Sequence, residues 1–328
     1  MFKIGVFDAK KYDIESFNKH KTKDIEFIYY EVRLTKDTVE LVKGLDGVCV
    51  FVNDEINKEV IDRLSFYNVK LILLRCAGFN NVDLLACKDR DIKVFRVPAY
   101  SPYAIAEHAF SLLLASNRRI HKAYIRTKEY NFSLDGLVGM DLHNKTIGVI
   151  GTGKIGRIMC DIANGFKMNV IAYDPYPNKE CNATYKSLDE LIKESDIISL
   201  HCPLTKENVH LINKESINKM KKGVIIINTS RGALINARDL YKGLIDRKIS
   251  AALLDVYEEE GPAFFNDKSN HILDDETLSL LISLPNVIVT SHQGFLTHEA
   301  LENIAIITIE NIYKYFNLED NKENEVTI

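Results

Sequence analysis

The chain contains no tryptophan, although its 328 residues include 15 phenylalanines and 15 tyrosines. The chain therefore has no tryptophan fluorescence to follow. Long apolar runs are missing as well. None approaches the roughly 18 residues that span a bilayer, and the opening MFKIGVFDAK reads as a first strand rather than a secretion signal. Charge of one sign is not in excess: 42 Lys and Arg stand against 46 Asp and Glu, a net charge of −4, with pI about 6.2. That balance offers no polyanion-binding face, so neither nucleic acid nor a membrane is an expected partner. The cysteines (Cys49, Cys76, Cys87, Cys160, Cys181 and Cys202) include no C-x-x-C pair. Buried, reduced thiols in a cytoplasmic protein are the expectation. The nine histidines form no H-E-x-x-H, H-x-x-E-H or mixed Cys/His cluster, so no metal site is expected. What remains is an ordinary globular composition, 46% hydrophobic and 27% charged, in a chain long enough for two domains.

One stretch stands out. Residues 149–156 read VIGTGKIG, with glycines spaced G-x-G-x-x-G. Alone the spacing is weak, because glycine turns are common, and the neighbourhood decides. TIGVI before it is a short apolar run that suits a buried parallel strand. After it, Ile155, Ile158, Met159, Ile162, Ala163 and Phe166 recur on one helical face. A second apolar run, NVIAY, ends at Asp174, 18 residues beyond Gly156. That is near the separation of about 20 in a dinucleotide-binding βαβ unit. There Gly151 allows the tight turn, Gly153 clears the backbone's approach to a pyrophosphate, and Gly156 lets helix and strand pack closely. The helix N-terminus offers free N–H groups to the phosphates. Asp174 can accept from both ribose hydroxyls, and its charge repels a 2′-phosphate, which favours NAD over NADP. The alternative is a purely structural glycine turn.

Two sets of alternating strand and helix patterns follow along the chain. The first has KIGVF, IEFIYY, GVCVFV, KLILL and IKVFR; the second has TIGVI, NVIAY, DIISL, GVIIIN, SAALL and NVIVT. Such alternation predicts an α/β fold with two doubly wound parallel sheets. The second set, with six strands, fits a Rossmann NAD-binding domain. The boundary falls in VPAYSP, where Pro98 and Pro102 precede an apolar helix to about Ile120. A helix from about Thr297 to Phe316 lies beyond the last strand and is expected to return to the first domain. The expected division is residues 1–100 with 298–328 as the substrate domain, and 101–297 as the NAD-binding domain, with a cleft between them.

Hydride transfer from a nicotinamide needs a group to fix the substrate and a proton donor with a partner that tunes it. Such groups gather at the carboxyl ends of parallel strands. Arg231 follows GVIIIN; its planar fork could hold a carboxylate bidentately, or it could be an ordinary surface arginine. Asp255 and Glu260 follow SAALL, and at least one of Glu258, Glu259 and Glu260 is expected to be merely solvated. His292 follows NVIVT. A lone histidine is more often structural, yet with a carboxylate partner it is a standard general acid/base. Glu107 and His108 are adjacent on a helix, point about 100° apart, and read as helix-surface or hinge residues. In RCAGFNNVDL, the N–H groups near Ala77 and Gly78 could hold an anion, or Asn80, Asn81 and Asp83 could simply cap a helix.

GVIGTGKIG, HCPLT, NTSRGALI, DVYEEE, NVIVTSHQGF and RCAGFNNVD together resemble the D-isomer-specific 2-hydroxyacid dehydrogenases, essentially end to end. FVNDEI, VPAYSP, NRRIHKAY, DPYP and FFNDKSN resemble its bacterial fermentative branch, which reduces pyruvate to D-lactate. The resemblance implies a flavodoxin-like substrate domain and a homodimer or homotetramer. It also implies that Arg231 clamps the keto-acid carboxylate, His292 protonates the carbonyl oxygen as hydride arrives from NADH, and Glu260 orients His292. Lys154, Ile155, Cys202, Pro203, Asn208, Thr229 and Ser230 match cofactor-lining positions, and Asp255 an aspartate near the nicotinamide. Ala77 and Gly78 match the loop meeting the substrate carboxylate, and Phe51, Tyr100 and Phe295 the pocket wall. Two departures touch pocket shape: Gly261-Pro262 after the acid, and Gly294 where the family has alanine. Rival expectations are a family member acting on a bulkier keto acid, such as 2-hydroxyisocaproate or phenyllactate dehydrogenase, and a non-catalytic NAD(H) sensor.

Overall fold

The computed structural model describes residues 1–260, 264–317, 319 and 321–327. Two compact units emerge, Met1–Ser101 with Phe295–Ile328, and Pro102–Gly294. The discontinuous unit is built on β1 (Phe2–Val6), β2 (Ile25–Tyr29), β3 (Gly47–Val50), β4 (Leu71–Leu74) and β5 (Lys93–Arg96). All pairings are parallel and the order is β2-β1-β3-β4-β5, the flavodoxin-like order. Every residue of β3 and β4 is buried, as their unbroken apolar runs require of central parallel strands. The helix His298–Phe316, capped by the Thr297 hydroxyl, lays Ala305, Ile309 and Ile312 over Ile4, Val6, Leu71 and Leu73.

The continuous unit holds β6 (Thr146–Ile150), β7 (Asn169–Tyr173), β8 (Thr184–Tyr185), β9 (Ile197–Leu200), β10 (Val224–Asn228), β11 (Ile249–Leu254) and β12 (Val287–Val289). They form one parallel sheet in the order β12-β11-β10-β9-β6-β7-β8. The strand order reverses at β6, the switch point where doubly wound sheets bind ligands at their carboxyl ends. Seven strands replace the expected six, because β8 is a two-residue edge strand, too short to show a period of its own.

The helix Pro102–Asn117 buries Ala106, Ala109, Phe110 and Leu113 against Ile147, Val149, Ile225 and Ile227. Its expected end at Ile120 is corrected to Asn117. Arg119 takes a left-handed turn, φ 53°, and a separate helix, Ile120–Lys128, follows with no buried residue. Among the described residues no helix is long and apolar enough to cross a membrane, and no cluster of His, Cys, Asp and Glu could hold a metal ion.

Candidate active site

At the end of β6, Gly151 adopts φ +94°, and a Cβ there would stand 2.6 Å from the Cys202 nitrogen. A Cβ on Gly156 would meet the Gly151 carbonyl oxygen at 1.9 Å, so the helix Lys154–Gly165 can sit on the turn only with glycine. A Cβ on Gly153 would meet nothing within 4 Å; the space it clears is filled by no described residue. Asp174, just past β7, accepts from Thr152 N at 2.7 Å and Thr152 Oγ1 at 3.1 Å through Oδ2, and from Tyr176 N at 2.8 Å through Oδ1. Oδ1, with one donor, retains acceptor capacity.

The segments after β9 and β10 are tied together. The Ser230 hydroxyl donates to the Cys202 carbonyl at 2.6 Å. Asn208 donates to the Pro203 carbonyl at 2.8 Å and accepts from Thr205 N at 2.7 Å, so its amide closes its own loop. Burial pushes the Cys202 thiol up to about 11. Thr229 is buried, and its hydroxyl has no hydrogen-bond partner among the described residues. Arg231 Nη1 donates to the Ser230 carbonyl at 2.7 Å.

The acid and the histidine meet. His292 Nδ1 lies 2.8 Å from Glu260 Oε2, and Glu260 Oε1 accepts from Tyr257 N at 3.1 Å. Both carboxylate oxygens are thus held, one by backbone and one by the imidazole. Of the three neighbouring glutamates, Glu258 is hydrogen-bonded to His210, Glu259 is exposed, and Glu260 takes His292. Phe265, from the FFNDKSN segment, places its ring 6.0 Å from that of His292. Gly261 and Pro262 lie outside the described residues.

Asp255, 1% exposed, is engaged on every side. Its Oδ1 accepts from Thr290 Oγ1 at 2.5 Å and Gln293 N at 2.9 Å; its Oδ2 accepts from Gly294 N at 2.8 Å. His108 Nε2 stands 3.2 Å from Oδ1 and 3.1 Å from Thr290 Oγ1. His108 is therefore not simply a helix-surface residue. Glu107 beside it is exposed, whereas the His108 ring turns onto the buried carboxylate. Burial pushes the Asp255 carboxyl up, but hydrogen bonds from His108 and Thr290 outweigh that and hold it below its ordinary value. A Cβ on Gly294 would come 2.9 Å from Asp255 Oδ2; the missing methyl faces this carboxylate.

Within the discontinuous unit, Asp83 caps the helix Leu84–Asp89 by accepting from Ala86 N at 3.0 Å. Asn81 instead donates to the Phe51 and Asp54 carbonyls at 2.9 and 3.0 Å. The carbonyls of Ala77 and Gly78 are taken by Arg96 Nη1 and Cys76 Sγ. Phe295 contacts Phe51 and Tyr100, with ring centroids 5.7 and 6.3 Å apart.

A family model for the NAD-binding domain of D-isomer-specific 2-hydroxyacid dehydrogenases matches residues 110–294. A 2-hydroxyacid dehydrogenase homolog of Haemophilus influenzae is 50% identical over 318 residues, covering 95% of this chain and 96% of that one. The D-lactate dehydrogenase of Escherichia coli is 47% identical over 316 residues, covering 94% and 95%. The solved pyruvate reductase of Chlamydomonas reinhardtii superposes with a TM-score of 0.92 at 43% identity, covering 98% of each chain.

Proposed function

The chain belongs to the D-isomer-specific 2-hydroxyacid dehydrogenase family and is an NAD-dependent enzyme of that class; we propose that its keto acid is pyruvate, reduced to D-lactate. The hydrogen-bonded His292–Glu260 pair, in the same unit as the glycine loop and Arg231, carries the proposal. Relatives named D-lactate dehydrogenase and pyruvate reductase support pyruvate among the possible keto acids. The clustered rings of Phe51, Tyr100 and Phe295 support a short acyl group.

NADH supplies the hydride when bound. The cleared space at Gly153 and the unpartnered Thr229 hydroxyl suit a dinucleotide. Asp174, Lys154, Ile155, Cys202, Pro203, Asn208 and Ser230 would complete the cofactor's surroundings. Arg231 would grip the substrate carboxylate with its fork. Ala77 and Gly78 would offer N–H groups to an anionic group of the substrate, their carbonyls being engaged elsewhere. Glu260 accepts from His292 Nδ1, which leaves Nε2 to carry the transferable proton. In reduction that proton passes to the keto oxygen; in the reverse direction Nε2 receives the hydroxyl proton of D-lactate.

A homo-oligomer in the cytoplasm completes the proposal. Tyr130, Phe132, Leu134 and Val138 are 86%, 71%, 79% and 88% exposed, beyond a helix that buries nothing. A soluble monomer seldom leaves so many large apolar side chains open in one short segment, and a symmetric second copy would cover them. The described cysteines are all free, as suits a reducing compartment.

The deciding experiment follows NADH absorbance with pyruvate, phenylpyruvate, 2-ketoisocaproate and hydroxypyruvate, then resolves the product enantiomer. The highest kcat/KM with pyruvate, giving D-lactate, is expected. Preference for a bulkier acid would reject pyruvate, and cofactor binding without any turnover would reject the enzyme.

A further inference from the structure

His292, the proton donor of the proposed reaction, sits in a backbone conformation that L-residues resist, φ 54°. Such a conformation persists only where its surroundings impose it. Here they do so through one residue. His292 N donates to the Asp255 carbonyl at 2.8 Å and the Thr290 carbonyl at 3.0 Å. The Asp255 carboxylate meanwhile takes the Thr290 hydroxyl and the next two backbone N–H groups, Gln293 and Gly294. The segment Thr290–Gly294 is wrapped around a single buried anion.

From outside that segment, His108 is the side chain that reaches this anion among the described residues. The protons can be assigned. An ionised carboxylate only accepts, and a threonine hydroxyl has one proton to give. Thr290 spends that proton on Asp255. His108 Nε2, within reach of both oxygens, must then be the protonated nitrogen, shared between Asp255 Oδ1 and Thr290 Oγ1. No other ionisable side chain among the described residues bonds to Asp255, so His108 supplies the side-chain N–H that reaches it from outside the segment. Removing it would leave a buried carboxylate short of a donor, a costly condition that the carboxylate would relieve by shifting. Any shift moves the backbone that carries His292.

We propose that His108 is a positioning residue for the reaction: its Nε2–H fixes the Asp255 carboxylate, which fixes the segment that aims His292. This rests on the proposed role of His292. It adds a residue that touches neither member of the acid/base pair and lies on the helix Pro102–Asn117, far along the chain from the loop it steadies.

The test compares His108→Ala, His108→Gln and His108→Leu in the full-length enzyme with NADH and pyruvate. Loss of a hydrogen bond to a buried charge is expected to lower kcat about tenfold, while KM for pyruvate stays within about twofold, because Arg231 is untouched. The Gln amide restores a neutral donor and should recover most of kcat; Leu fills similar space without one and should not. If His108→Ala does not fold, the Gln–Leu pair gives the same reading. Equal kcat in Gln and Leu, or a rise in KM matching the fall in kcat, would overturn the positioning role. A wild-type enzyme that reduces no 2-keto acid would overturn the function beneath it instead.

Discussion

Glu260 holds His292 with one carboxylate oxygen and its own chain, at Tyr257 N, with the other. The acid therefore cannot rotate away without losing a backbone hydrogen bond, and the ring nitrogen it grips is fixed as Nδ1. His292→Ala is expected to lower kcat about 10²–10⁴-fold. Glu260→Gln keeps the shape, loses the charge and should lower kcat by less. Steady-state pyruvate reduction decides; near-normal turnover in His292→Ala would remove the histidine from the chemistry.

Arg231→Lys keeps a positive charge but loses the planar fork. The expected result is a rise of about tenfold or more in KM for pyruvate with a smaller change in kcat. An unchanged KM would mean that another group binds the carboxylate.

Asp174 both faces the proposed ribose and ties down Thr152. Alanine would disturb both, so Asp174→Asn is the cleaner variant, keeping an acceptor oxygen while removing the charge. The ratio of kcat/KM for NADH over NADPH should fall about tenfold, equivalent to about 1.4 kcal/mol. A constant ratio would reject the aspartate as the discriminating charge.

Asp54 is buried and accepts from Leu34 N and Phe51 N at 2.6 Å each. Burial pushes its carboxyl from 3.8 up to about 6, against the pull of Arg75. Between those values the folded chain holds a proton that the unfolded chain has released. Stability from this group is therefore present below about pH 4 and declines as pH rises through 6, by up to about 3 kcal/mol. Urea midpoints at pH 4.5 and 7 should differ less in Asp54→Asn than in the wild type. Identical pH dependence in both proteins would show that Asp54 does not titrate in this range.

Tyr130→Asp with Val138→Asp places two charges in this exposed apolar segment. Sedimentation is expected to show the wild type as an oligomer and the double variant as monomers. An unaltered sedimentation coefficient would move the interface elsewhere.

The parts of the site that the sequence made legible are those where a polar residue directly follows an apolar run. Arg231, Asp255 and His292 stand just beyond strand ends, and a parallel sheet gathers its strand ends on one side. Glu260 could be paired with His292 only through the family resemblance, since three glutamates stand in a row and spacing does not choose between them. His108 was illegible for a related reason. Its neighbour Glu107 was the visible partner, but helix geometry turns the two apart, and the true partner, Asp255, is brought near only by tertiary packing. The break at Arg119 was hidden too, because no proline or glycine marks it; the apolar pattern runs on while the backbone turns left-handed.

The unit formed by both ends of the chain has a consequence for how the protein is made. On a ribosome, β1 to β5 emerge long before Ala305, Ile309 and Ile312, which cover Ile4, Val6, Leu71 and Leu73. The sequence-contiguous unit, Pro102–Gly294, can reach its own core while the earlier sheet still lacks part of the cover of one face. Until the helix His298–Phe316 emerges, nascent chains would expose that surface, making this interval the period when the protein most needs a chaperone.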